Sequence, residues 1–346
     1  MTSVRVRNIV MKRQLGLSLV ELMVSITIGL FLMAGAVQTF LMSKANYTAQ
    51  NDVARAQEGG RFAVEFLNFD ARMAGYIGTP NLYRVTPNFV ANSSPTYITN
   101  ALTSGQVVVG YESTGTDTAH SWAGSPALPS VTNAGGAGVT PPARNSTDGL
   151  TILRASECGA YLSSQMPLSG AGPISVQANA CGWAPNQLLV VSDRESADVL
   201  RAGTGTSSTS IVLAGANTPA DLRKPYSTDA QVFRFIPTTY YIATGADGRP
   251  ALWQHIEGRN PEELAAGVED MQILYGEDTD ADQAANRYVK ANQANMGQVV
   301  SLRITLTTAT ERNDVTFAAD ATTGDRRLRR TFTTTANLRN RSLSYP

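Results

Sequence analysis

The sequence predicts an α+β protein, with one long N-terminal α-helix packed on an antiparallel β-sheet head and a large, variable, loop-rich β region between them. Three observations lead to this prediction. An apolar run near the N-terminus continues into a segment with helical periodicity. The middle of the 346-residue chain is rich in glycine, serine, threonine and proline, with short apolar runs. Toward the C-terminus, apolar and polar residues alternate as they do in half-buried strands.

The composition narrows the classes of function. Lysine plus arginine and aspartate plus glutamate number 28 each, so the formal net charge is zero. A neutral chain gives no reason to expect nucleic acid as a main partner, and we predict no specific nucleic-acid binding. Charged residues make up only 16% of the chain, which is low for a soluble domain and typical of exported, loop-rich β proteins.

The first element is an apolar run at residues 17–42, and it predicts a membrane-spanning helix. At 1.5 Å per residue this run is long enough for a hydrocarbon core of about 30 Å. Positive charge before the run predicts a single-pass protein with its N-terminus in the cytoplasm. Translation can start at Met1 or Met11, and both starts leave a cationic leader. The cationic residues are Arg5, Arg7, Lys12 and Arg13.

Two residues set this run apart from an ordinary signal or anchor. A secretory signal has its small cleavage residue after the apolar core, whereas Gly16 stands before it. Glu21 lies inside the run, where a charged carboxylate costs roughly 2.5–3.5 kcal/mol on insertion scales. A carboxylate at this depth is expected to have a partner.

Residues 12–25, KRQLGLSLVELMVS, resemble a class III prepilin signal of the type IV pilin-like family. The resemblance implies that a prepilin peptidase cleaves after Gly16 and that Leu17 becomes the N-methylated terminus. Glu21 then occupies the fifth mature position, where the family has its glutamate, and it would pair with the α-amine of a neighbouring subunit. Leucine departs from the phenylalanine more common at position 17. The alternative is a plain anchor with a chance glutamate.

The helical pattern continues beyond the apolar run to about residue 75, since no proline occurs before Pro80. We therefore predict a transmembrane or filament-core half at 17–42 and an amphipathic half at 43–78. Two apolar stripes predict a broad face that packs on the head. The first is Val53, Ala56, Gly60, Ala63, Leu67, Ala71 and Ala74, and the second is Phe62, Phe66, Phe69 and Met73. Gly29, Gly35, Gly59 and Gly60 indicate either points of bending or close helix packing.

The middle region, residues 79–230, is predicted to be a loop-rich β region, and its tract 132–149 a long mobile surface loop. Cys158 and Cys181 predict one disulfide bond in an exported protein. Free thiols or redox chemistry are the alternatives, and the spacing is not C-x-x-C. The short apolar runs that predict strands are 107–111, 150–155, 187–193 and 210–215.

The C-terminal region, residues 231–346, is predicted to be an antiparallel sheet with one dry face for the long helix. Alternation at 300–306 is the strongest strand pattern. Asn260, followed by proline and two glutamates, predicts the start of a short helix. Further strands are predicted within 232–243, after the turn at Asp247 and Gly248, at 268–276 and at 328–339.

Two charged clusters could bind a ligand. Asp278, Asp280 and Asp282 follow the spacing of an EF-hand loop, but Gln283 replaces the required glycine and excludes an EF-hand. A solvated acidic turn is favoured over a calcium site of another kind, and no other metal or cofactor is predicted. The second cluster is basic and predicts either a charge-protected strand edge, which is favoured, or a weak acidic or DNA docking site. Its members are Arg326, Arg327, Arg329 and Arg330.

No enzyme signature accompanies these features, and we predict that the protein is not an enzyme. The sequence has no G-x-S-x-G, no Walker A motif and no H-E-x-x-H. Its two histidines and two cysteines are too few for an ordinary zinc or iron–sulfur site.

Further stretches resemble PilW-type minor pilins, namely residues 49–78 and residues 267–293 followed by 297–308. The resemblance implies a low-abundance subunit that primes type IV pilus assembly and sits near the pilus tip. Its implied partners are the other minor pilins, the major pilin, the prepilin peptidase, the inner-membrane assembly machinery and a large tip adhesin. The alternatives are a J-type minor pseudopilin of a type II secretion system and a membrane-anchored exported binding protein that does not assemble.

Overall fold

A computed structural model gives the fold. It describes residues 18–78, 85–91, 96–113, 122–123, 144, 146–166, 172–215, 222–313, 317–321 and 323–342. The chain forms two compact units, Met1–Asp52 and Val53–Pro346; the second is called the head unit below. Most of the loop expected at 132–149 lies outside the described residues.

The described part of the chain has one dominant helix and many short strands. The helices are α1 (Leu19–Met73), α2 (Thr96–Thr103) and α3 (Arg339–Ser342), with a 3₁₀ turn at Met296–Gln298. The strands of the first half are β1 (Asn88–Phe89), β2 (Val108–Ser113), β3 (Trp122–Ala123), β4 (Gly149–Ile152), β5 (Ala155–Tyr161), β6 (Ile174–Ser175), β7 (Leu188–Ser192), β8 (Ala197–Arg201) and β9 (Ser210–Ile211). Those of the second half are β10 (Gln231–Phe235), β11 (Thr238–Thr244), β12 (Pro250–Ile256), β13 (Glu262–Ala266), β14 (Val268–Glu277), β15 (Arg287–Val289), β16 (Val299–Ala309) and β17 (Arg329–Asn337).

These strands form four described sheets in the head unit. Their strand orders are β1-β8-β7-β10-β5, β13-β12-β11-β4-β2-β3, β15-β14-β16-β17 and β6-β9. All the described strand pairs are antiparallel except β1 with β8. A long N-terminal helix followed by antiparallel-rich sheets confirms the predicted α+β fold class. Strands from both sides of residue 230 share two of these sheets, and the domain boundaries drawn from the sequence stay a prediction.

The head-unit part of α1 packs into the main core. The first predicted stripe joins one apolar cluster with strand residues from three sheets, through Ala63, Leu67 and Ala71 of α1 and Ala74 just after it. The small side chains of the three alanines let the helix lie close to the sheets. A second cluster, which includes Trp183, is built mainly by the part of the head unit from β5 to β10. The first stripe therefore packs as its periodicity predicted, whereas Phe62 and Phe69 of the second stripe are exposed.

The four-stranded sheet has the predicted dry face. In β16, Leu302, Ile304 and Leu306 are fully buried, whereas Arg303 is exposed and Thr305 is half-buried. Since side chains alternate across a strand, one face of the sheet supplies the core and the other stays polar.

The prediction of a short helix that starts at Asn260 is wrong. Glu262–Ala266 forms β13, which pairs with β12 after a left-handed turn at Gly258, where φ is 78°. Only seven residues, 260–266, precede the next left-handed residue, Gly267. A helix this short gains too few hydrogen bonds to offset the free-energy cost of helix nucleation. Pairing with the edge of β12 instead gives the segment backbone hydrogen bonds.

Gly60 allows the closest approach of α1 to the four-stranded sheet. A Cβ atom at this position would overlap the ring of Phe332 on β17. At the neighbouring Gly59, a Cβ atom would have the carbonyl oxygen of Ala266 as its nearest neighbour, at an ordinary 3.6 Å. In the described structure nothing lies within 4 Å of a Cβ atom at Gly29 or Gly35. Gly60 is thus a packing residue.

This difference predicts opposite effects of two adjacent substitutions. Gly60→Ala should lower the free energy of unfolding of the head by about 1–3 kcal/mol, because the added methyl overpacks the contact with Phe332. Gly59→Ala should leave it unchanged or raise it by up to about 1 kcal/mol through better helix propensity. The thermal unfolding of both variants can be compared by circular dichroism on the full chain in detergent. Equal melting of the two variants would contradict the close contact.

Candidate assembly site

The described part of the first unit presents an apolar helical surface. The side chains of residues 19–42 are all exposed, and Phe31 reaches 77% exposure. This stretch of α1 is long and apolar enough to cross a membrane. Such a surface is unfavourable in water and is stable only in a bilayer or against other apolar helices.

Hydroxyl groups in this stretch are satisfied within the helix itself. The hydroxyl of Ser25 donates to the carbonyl oxygen of Glu21 at 2.7 Å, and that of Thr39 donates to the carbonyl oxygen of Gly35 at 2.9 Å. Thr27 makes the same kind of bond to Met23 at 2.7 Å. Because each hydroxyl bonds one turn back, these side chains need no partner from a bilayer or another subunit.

Glu21 differs from these hydroxyls, since it is the only charged residue between Ser18 and Ser43. It lies in the first turn of α1, where the free backbone N–H groups favour a negative charge. Among the described residues, no ion pair or hydrogen bond to its carboxylate is found. Gly16 and Leu17, the predicted cleavage and methylation sites, lie outside the described residues. Their roles, and the pairing of Glu21 with an α-amine, stay predictions.

A buried charged pair ties the head-unit part of α1 to two sheets. Asp70 on α1 accepts a hydrogen bond from Nη2 of Arg154 at 2.7 Å, and the two side chains are 2% and 12% exposed. The hydroxyl of Tyr240 on β11 donates to the other carboxylate oxygen of Asp70. Burial, together with the charge of Asp70, raises the pKa of Tyr240 well above its usual value, so the hydroxyl keeps its proton. The sequence held no signal for this trio.

Breaking this pair should be costly. Asp70→Ala leaves the Arg154 cation buried without its partner, and we expect it to lower the free energy of unfolding by about 3–5 kcal/mol. The matched control is Glu311→Ala, because Glu311 pairs with Arg55 at 3.8 Å on the surface, with side chains 40% and 67% exposed. That change should cost less than about 1 kcal/mol. Urea unfolding of the full chain in detergent measures both; similar costs would show that the buried pair does not anchor the helix.

The structure contains the predicted disulfide bond. Cys158 on β5 is bonded to Cys181 in the segment between β6 and β7, with 5.5 Å between their Cα atoms. The bond closes a loop with a sequence separation of 23 residues, which is worth roughly 3 kcal/mol in the chain-entropy account. It holds the five-stranded sheet to a segment with little regular structure.

The acidic cluster lies in the turn between β14 and β15. Ligand oxygens of Asp278, Asp280 and Asp282 lie within 4.8 Å of one another. Asp278 accepts hydrogen bonds from the backbone N–H groups of Ala281 and Gln283 at 2.7 and 2.8 Å. Desolvation is the largest single effect and raises the pKa of the Asp278 carboxyl, but the hydrogen bonds together outweigh it and lower the pKa. These hydrogen bonds stabilise the turn without a bound ion, as expected for a solvated acidic turn. The alternative of a calcium site stays a prediction.

Internal acids neutralise much of the basic cluster. Arg329 pairs with Glu269 and Asp325, both at 2.8 Å, and Arg327 lies 3.7 Å from Glu269. Among the described residues, Arg330 is exposed and makes no ion pair. Charge therefore protects the start of β17, and the alternative of a weak acidic or DNA docking site stays a prediction.

Two family models match this chain. Residues 239–340 match the family described as Type IV Pilus-assembly protein W. Residues 11–37 match the family described as Prokaryotic N-terminal methylation motif, and this range includes Gly16, Leu17 and Glu21. Searches of curated proteins and of solved structures give no match.

The fold and the N-terminal motif support a type IV pilin-like protein. The match across β11 to α3 confirms the finer resemblance found in the sequence, that of a type IV minor pilin-like protein. The matched families are structural components of the pilus rather than enzymes. The motif and the apolar helix fit anchoring in the inner membrane before assembly into the pilus.

Proposed function

We propose that this protein is a minor pilin that enters the type IV pilus through its N-terminal helix and primes pilus assembly near the tip. The observation that carries the proposal is Glu21, a lone carboxylate on an exposed apolar helix within a matched prepilin motif. A carboxylate in that setting needs a cation. The cleaved N-terminus of a neighbouring subunit supplies one.

The assembly step follows from this need. The prepilin peptidase cleaves after Gly16, which frees the α-amine of Leu17, and the amine is then N-methylated. In the filament, the Glu21 carboxylate pairs with the α-amine of an adjacent subunit, and each group loses an unpaired charge in an apolar setting. Before assembly the apolar helix holds the protein in the inner membrane as a single-pass protein.

The head unit would act outside the membrane. Its C-terminal part carries the match to the pilus-assembly family, which supports contacts with the other minor pilins and the major pilin. A position near the tip would let the same head help present a large adhesin. The buried Asp70–Arg154 pair and the contact at Gly60 hold the upper helix to this head, so that the two move together.

Glu21→Ala tests the pairing. We expect cleavage of the leader to continue, while recovery of the protein in sheared pili falls by about tenfold or more, because losing one partner of a desolvated charge pair costs about 2–5 kcal/mol. Ser25→Ala is the matched control, since its hydroxyl bonds only within its own helix. Immunoblots of sheared pili and membranes give both values. Equal recovery of the two variants would rule out the pairing mechanism.

Deletion of the gene tests the priming role. Cells without the protein should shed few or no surface pili, while secretion of a type II substrate stays normal, and the intact gene should restore pili. Normal pili with failed secretion would instead identify a minor pseudopilin of the J type. Normal pili and normal secretion together would contradict any filament role.

A further inference from the structure

Strand β17 forms one edge of the four-stranded sheet. It runs for nine residues, Arg329–Asn337, and its described partner is β16 alone. At about 3.4 Å per residue, an edge of this length spans roughly 30 Å. An edge strand offers a row of free N–H and C=O groups to any strand that can pair with it.

The register shows which backbone groups are free. The N–H of Leu338 donates to the carbonyl oxygen of Val300 at 2.8 Å, and the pairing continues as Leu302 with Ala336 and Ile304 with Thr334. Because hydrogen-bonded and non-hydrogen-bonded pairs alternate in an antiparallel ladder, the even-numbered residues of β17 bond to β16. The odd-numbered residues direct their N–H and C=O groups away from the sheet. Beyond the half-buried Arg329 they are Thr331, Thr333, Thr335 and Asn337, and these four are exposed.

Other described edge strands carry the protection that proteins usually give to an edge. β1 and β3 have two residues each, and β15 has three. β13 carries Glu262 and Glu263, and β5 carries Glu157 and the disulfide bond. By contrast, β17 has charge only at Arg329 and Arg330, and residues 331–337 contain no charge, proline or glycine. A long edge whose last seven residues carry no charge, proline or glycine lacks the usual protection against pairing with another strand.

We propose that the outer edge of β17 is a strand-addition site for an extended segment of a different protein. The segment is uncharged along Thr331–Asn337 and carries a carboxylate beside Arg330. Main-chain hydrogen bonds to the odd-numbered residues supply the affinity, as in other strand additions. The inference follows from the edge itself and does not depend on the priming role.

Charge selects a different protein over a second copy of this chain. Arg330 is exposed and makes no ion pair among the described residues. A second copy of β17 contains no aspartate or glutamate, so it would bring no carboxylate to Arg330. A partner segment with an acid at that end would form the missing pair and fix the register of the added strand.

Photo-crosslinking in the producing cells tests this site. A benzophenone amino acid replaces Thr331, Thr333 or Thr335 of the full-length chain, one position at a time, and cross-linked peptides are mapped by mass spectrometry. All three labels should reach one segment of one other protein. The attachment points should move by two residues as the label moves by two, as a β-ladder requires. An aspartate or glutamate should lie where the segment passes Arg330.

Two substitutions at Thr333 test whether the backbone makes the contact: Thr333→Pro is the test and Thr333→Val is its matched control. Thr333→Pro removes a backbone donor that points away from β16, so it breaks no backbone hydrogen bond within the sheet. It does remove the hydroxyl that lies 3.2 Å from the hydroxyl of Thr305, and Thr333→Val removes the same hydroxyl. With the label at Thr335, Thr333→Pro should lower the cross-link yield by about tenfold, whereas Thr333→Val should leave it unchanged, because strand addition uses the backbone. Equal yields in the two variants would overturn the proposal. Cross-links without the two-residue ladder, or on β17 of a second copy, would also overturn it.

Discussion

The apolar surface of α1 from residue 19 to residue 42 is the constraint on which the rest of the structure depends. Its side chains are exposed, and its hydroxyls are satisfied within the helix. Glu21 is the charged residue of this stretch, and its carboxylate requires a polar partner. Water cannot stabilise such a surface, so the helix needs first a bilayer and then other helices of the same kind. In the proposed function, one segment meets both needs, because it lies in the inner membrane before assembly and among neighbouring helices in the filament.

The head unit differs from this surface, because its part of α1 packs against strands of the same unit. Small residues of α1 let the helix lie close to the sheets, and Gly60 accepts the ring of Phe332. The Asp70–Arg154 pair adds a specific, buried anchor between the helix and the sheets. The outer edge of β17 leaves the backbone groups of Thr331, Thr333, Thr335 and Asn337 directed away from the sheet. The two proposals thus place filament assembly on the apolar part of α1 and partner binding on the outer edge of β17.

Periodicity explains how much of the fold the sequence could predict. The stripe that contains Ala63 and Leu67 and the alternation at 300–306 each follow from one local pattern. Local sequence patterns do not predict a structure that depends on a partner distant in the sequence. Residues 260–266 look like a helix start but pair with β12, and Asp70 finds Arg154 at a separation of 84 residues. Free edges are likewise invisible, because the outward groups of β17 are defined only by its register with β16.

The central claim is that the cleaved helix is the part built into the filament, and the N-terminal peptide of the filament-borne protein tests it most directly. Surface pili are sheared, purified and digested, and the peptide that contains Glu21 is identified by mass spectrometry. The account predicts a peptide that begins at Leu17 with a methyl group on its α-amine. A chain that keeps residues 12–16, or that is found only in the membrane fraction, would contradict it.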